Sequence, residues 1–108
     1  MNHKGEVTIE VTSRHGVVSD RMTEYARTKA AKLTRFNDQI SRIQVVIDGP
    51  HESPTVDMVV HVDRHEHIVA REQGEHFNAA VDGLVAKMER QLVKLKERSK
   101  NHKGDLRA

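Results

Sequence analysis

Lys87, Arg90, Lys94 and Arg98 recur at steps of three and four, which sets them on one flank of a helix rather than around its cylinder. Arg21, Lys32 and Arg35 repeat the arrangement near the start of the chain. The spacing 21, 32, 35 equals 76, 87, 90, with His76 in the place of Arg21. Rows of fixed cations hold polyanions by displacing condensed counterions. On any single helix a solvated charged face is the commoner meaning of such a row. Two helices with cations in the same phase beside their apolar stripes favour a polyanion-binding surface.

Other chemistry finds less support. His61, His65 and His67 cluster in sequence, but they lack the helical i, i+4 step or Cys partners of a zinc site. No functional metal site is expected there, only a polar hairpin that gains charge below neutral pH. There is no Cys, which excludes disulfides and thiol nucleophiles. No Ser sits in a nucleophile elbow, and no Gly-rich loop joins a strand to a helix in phosphate-cradling form. Asp57 and Asp63 would lie about 20 Å apart along a strand, too far for joint acid–base work. A non-enzyme without cofactor or small-molecule substrate is expected. Two Phe, one Tyr and no Trp leave few platforms for stacking single-stranded bases. Tyr25 lies beside an apolar stripe and reads as core. The cations therefore suit the phosphates of a structured RNA better than an unstacked strand.

The elements that must carry these residues follow from periodicity. Phe77, Ala80, Val81, Leu84, Val85, Met88, Leu92 and Leu95 form one helical stripe over 76–98. Met22, Ala26, Leu33 and Phe36, with Ala30, form another over 20–36, capped by Ser19 or Asp20 and ended by Asn37-Asp38. Strict alternation predicts strands over 6–12 (Val7, Ile9 and Val11 inward), 40–48 (Ile43, Val45 and Ile47 inward) and 56–62. A short fourth strand begins at Ile68. Gly16 marks a turn in the first loop, Asp48-Gly49-Pro50 ends the second strand, and a polar turn at 63–66 makes a hairpin of strands three and four. The order β-α-β-β-β-α predicts an α+β fold. Its four-stranded mixed sheet pairs strands one and two in parallel through the helical crossover, and both helices cover one face.

The chain has 108 residues and a formal net charge of +2, the size of one domain, placed at 1–100, with a basic, disordered tail at 101–108. Residues 1–37 carry seven Lys/Arg against four Asp/Glu, residues 38–75 three against eight, and residues 76–108 eight against four. The helical segments are basic and the middle is acidic, so one surface should attract polyanions while another repels them. No apolar run is long enough for a bilayer, and the N-terminus lacks a signal peptide's apolar core. A cytoplasmic protein is expected.

The segment "EHFNAAVDGLVAKMERQLVKLKER" resembles the last helix of the ribosome hibernation-promoting factors, also called ribosome-associated inhibitors. "DRMTEYARTKAAKLTRF" is similar to their first helix, and "SRIQVVID" and "VHVD" follow in order; together they span roughly residues 6 to 100. The resemblance implies a fold similar to double-stranded-RNA-binding domains. It also implies binding to the small ribosomal subunit and its rRNA, in the channel of mRNA and tRNA, so that translation stops and idle ribosomes persist in stationary phase. Carried over, the rRNA-binding residues are Lys29, Lys32 and Arg35, then Lys87, Arg90 and Lys94. Departures are His76-Phe77 where an acidic residue, a hydrophobic one and Tyr are usual, Ser13 for a frequent Gly, His15 for a frequent Asn, and Arg71 at an often small position. The chain ends soon after the last helix, like the short form of the family. Short forms either assist ribosome dimerisation with another hibernation factor or hold single ribosomes inactive, and the brief tail favours the former. Two rivals stay open: a general structured-RNA-binding module, and a regulator that binds a protein through the sheet face, after an older family label of sigma-factor modulation.

Overall fold

A computed structural model describes residues 7–14, 18–50 and 52–107, with side chains as far as residue 98. The elements are β1 (Thr8–Ser13), α1 (Asp20–Ala31), a 3₁₀ turn (Lys32–Phe36), β2 (Ile40–Asp48), β3 (Thr55–Val62), β4 (Ile68–Gln73) and α2 (Phe77–Arg107). The sheet order is β1-β2-β3-β4. β1 pairs with β2 in parallel, and the other two pairings are antiparallel. This is the predicted β-α-β-β-β-α fold. The expected turn at Gly16, and His15, lie outside the described residues. The tail expected at 101–108 lies beyond the described side chains; the helical backbone itself runs to Arg107.

Local chemistry accounts for the boundaries. Ser19 caps α1, its Oγ accepting from the Met22 amide at 3.1 Å, which satisfies one of the free donors of the first turn. The first helix was expected to run to Phe36; instead it tightens into the 3₁₀ turn at Lys32. Thr34 Oγ1 donates back to the Ala31 carbonyl at 2.9 Å, a local bond of the kind that accompanies bent helix ends. Gly74, between β4 and α2, sits at a close approach: a Cβ there would lie 3.0 Å from the Ala80 amide nitrogen, tighter than ordinary contact. In the β3–β4 turn, Arg64 takes a left-handed φ of 69°.

The core is aliphatic. Ile43, Val45 and Ile47 on β2, and Val56, Met58, Val60 and Val62 on β3, are buried under the helices. Ala26, Ala30 and Leu33 come down from the first helical segment, and Ala80, Val81, Leu84, Val85, Met88, Leu92 and Leu95 from α2. Each large side chain so buried is worth roughly 1.5–3 kcal/mol of transfer free energy. Among the described residues no charged or polar side chain is buried, so every charge is available to the surface.

Candidate nucleic-acid interface

α1 and α2 lie side by side and run in parallel. Near their starts, the Tyr25 hydroxyl donates to Asp82 Oδ1 at 2.7 Å and the Tyr25 ring meets Phe77 edge-on, centroids 6.4 Å apart. Further along, Phe36 shares a shallow groove with Glu89, Arg90, Val93 and Lys94. Parallel helices whose cations share a phase expose them on the same hand. From α1, Lys29 reaches Asp82 of α2; from α2, Lys87 reaches Glu72 of β4, while Arg90 and Lys94 border the groove with Phe36.

The eight sequence-predicted cations fall into two groups. Arg21, Lys32, Arg35, Arg90, Lys94 and Arg98 are exposed and make no hydrogen bond or ion pair with other described residues. Arg21 and Lys32 are eleven residues apart, three helical turns, and so point alike. Arg35 borders a groove with Leu95 and Lys96 of α2. Arg98 stands by the β3–β4 turn with Glu66 and His67. Lys87 to Arg98 spans roughly 16 Å of helix.

Lys29 and Lys87 are partly engaged. Lys29 Nζ lies 3.8 Å from Asp82 Oδ1 and 5.4 Å from the centre of the Tyr25 ring. Lys87 Nζ pairs with Glu72 Oε1 at 2.7 Å and donates to the Arg71 carbonyl at 2.7 Å. Their side chains keep 32 % and 46 % exposure, so both still present charge to solvent, in fixed positions. Sequence spacing could not reveal these anchors, because the partners come from β4 and the neighbouring helix.

The opposite sheet face differs. Arg42 donates to both Glu10 carboxylate oxygens at 2.9 Å, and Arg71 pairs with Asp57. Arg14 pairs with Asp48 at 3.5 Å at the strand ends. The hydrogen bond from Arg42 holds the Glu10 carboxyl below the usual range, and the bond that Arg71 makes to Asp57 raises the arginine's pKa. The acidic excess of the middle segment is thus partly spent in pairs. The face is closer to neutral than to polyanion-repelling. His61 and His67 meet on it at a tilt of 52°, ring centroids 3.9 Å apart, with His61 Nε2 2.8 Å from Gln44 Oε1. Among the described residues no group of three or more potential ligands converges on a metal position, and no helix is long and apolar enough to cross a membrane.

Comparison with known proteins fits this layout. Residues 9–100 match the family model described as sigma 54 modulation protein / S30EA ribosomal protein. The ribosome hibernation promoting factor of Escherichia coli K12 is 33 % identical over 94 residues, covering 87 % of this chain and 98 % of that one. Its namesake in Azotobacter vinelandii is 33 % identical over 81 residues, 75 % of each chain. Among solved structures, a ribosomal subunit interface protein from Coxiella burnetii superposes with a TM-score of 0.77 at 25 % identity, covering 84 % of this chain and 99 % of that one. The N-terminal domain of Thermus thermophilus Protein Y shares the fold, with a TM-score of 0.73 at 21 % identity over 82 % and 99 % of the two chains.

Proposed function

The chain belongs to the sigma 54 modulation protein / S30EA ribosomal protein family, and from that premise we propose that it is a ribosome hibernation factor. It binds the small ribosomal subunit through rRNA, with residues 1–100 as the binding domain. It occupies the channel where mRNA and tRNA sit, and keeps idle cytoplasmic ribosomes from translating in stationary phase. It works by occupancy, without catalysis, cofactor or small-molecule substrate.

The observation that carries this reading is the pair of parallel helices on which Arg21, Lys32, Arg35, Arg90, Lys94 and Arg98 are exposed and lack carboxylate partners among the described residues. Such cations have not spent their charge inside the fold, so counterion release remains to drive association with RNA. Lys29 and Lys87, anchored but still exposed, supply phosphate contacts that are ordered in advance, which lowers the entropic cost of binding.

Co-sedimentation with purified small subunits tests the proposal. The protein should pellet with them and be displaced by tRNA or mRNA. Binding that tRNA and mRNA leave intact would point to a general structured-RNA module acting elsewhere, and absence of binding would overturn the reading.

A further inference from the structure

Between the first turns of α1 and α2 lies an open groove of about 710 Å³. Its lining is mostly apolar and includes Met22 and Tyr25, both partly buried. Asp20 and Glu24 from α1 and Asn78 from α2, all exposed, also line it. Arg21 and Lys29 are the cations of the lining, and the Lys29 ammonium lies 5.4 Å from the centre of the Tyr25 ring. Tyr25 is held in place, since its hydroxyl is bound to Asp82 and its ring lies against Phe77.

We propose that this groove receives one unstacked nucleobase of the RNA that the cation rows hold, and that it favours a base rich in N–H donors. The inference rests on the ribosome-binding reading for its source of RNA, but the recognition chemistry is its own. A mostly apolar groove with two carboxylates and a carboxamide among its lining residues fits a flat heterocycle, whose edge carries donors and whose faces are apolar. Guanine presents N1–H and an exocyclic amine to a carboxylate, whereas uracil presents a single N–H. The groove is continuous with the α1 cations: Arg21 and Lys29 belong to its lining and can hold the phosphates that flank the bound base.

The test is an amide-resolved NMR titration of the whole chain with 5′-GMP and, separately, 5′-UMP at equal ionic strength. Both carry the same phosphate, so their difference reports on the base. GMP should move the amides of Met22, Tyr25 and Asn78 and bind about five-fold tighter than UMP. Glu24→Gln and Asn78→Ala change exposed side chains, and each should erase most of that difference while leaving the remaining amides in place. On small subunits the same variants should bind about three- to ten-fold more weakly, with an unchanged salt slope, because every cation that meets a phosphate is kept. Equal titration by the two nucleotides, or shifts that follow Arg90 and Lys94 instead of the groove, would overturn the proposal. Failure of the ribosome reading looks different: the GMP preference would persist in a protein that does not bind subunits.

Discussion

Lys87 and Arg90 lie three residues apart on α2, yet their surroundings give them different work. Lys87 bridges α2 to β4 through Glu72 and the Arg71 carbonyl, whereas Arg90 pairs with no described acid. Lys87→Ala should therefore lower stability by about 0.5–1 kcal/mol, after discounting for its exposure. Arg90→Ala should leave stability within roughly 0.5 kcal/mol while weakening RNA binding more; denaturant unfolding and a binding isotherm separate the two effects. At His61 and His67, pH has a defined sign. Burial lowers the His61 pKa, with His67 and Arg42 adding to it and Glu10 opposing. The unfolded chain then takes up its proton first. Stability should fall as pH drops from the ordinary His value through the lowered one, and then level off. Glu10, depressed by its hydrogen bond from Arg42, contributes a second loss at lower pH, as its own lowered value is passed. Thermal melts between about pH 7.5 and 3.5 should show His61→Gln flattening the first decline while keeping the second.

At the scale of elements, what holds the cation rows in place is the packing of α1 on α2. Tyr25→Phe removes the bond to Asp82 and should cost about 1 kcal/mol without emptying the core. Leu84→Ala, beneath α2, should cost about 2–5 kcal/mol by leaving a cavity; chemical denaturation measures both. Strands β2 and β3 were legible in the sequence to the residue face, because alternation fixes which side chains turn inward and one face is buried. The stripes of both helices were legible for the same reason with a longer period. The 3₁₀ turn at Lys32 was not: apolar residues at steps of three and four fit either kind of helix. Nor was the engagement of Lys29 and Lys87. Spacing gave the phase of each cation row but not its neighbour, and whether a row faces β4 or another helix is a property of tertiary packing. Tyr25 was read as core; its ring does pack there, but its hydroxyl also clamps two helices and its edge borders a groove.

Across the whole molecule, charge is sorted by face. The helical side carries the unpaired cations, while the open sheet pairs Glu10 with Arg42 and Asp57 with Arg71. The sheet's two edges are also guarded. Arg27 donates to the Ile9 carbonyl on β1 at 2.9 Å, and Lys87 to the Arg71 carbonyl on β4. Charged side chains at such edges discourage pairing with further strands. RNA binding should thus be confined to the helical side. Removing the open-face pair with Arg42→Gln and Glu10→Gln should leave ribosome affinity within about two-fold, since exposed neutral pairs release few counterions; a filter-binding comparison with the unaltered chain measures this. The most direct test of the account is the affinity for purified small subunits, measured against salt for the unaltered chain and for Arg90→Ala/Lys94→Ala. The double variant should bind more weakly, and its log–log salt slope should be shallower by roughly two, one unit for each cation withdrawn from a phosphate. Equal affinity and an equal slope across all salt concentrations would mean that the paired helices are not the surface that grips RNA.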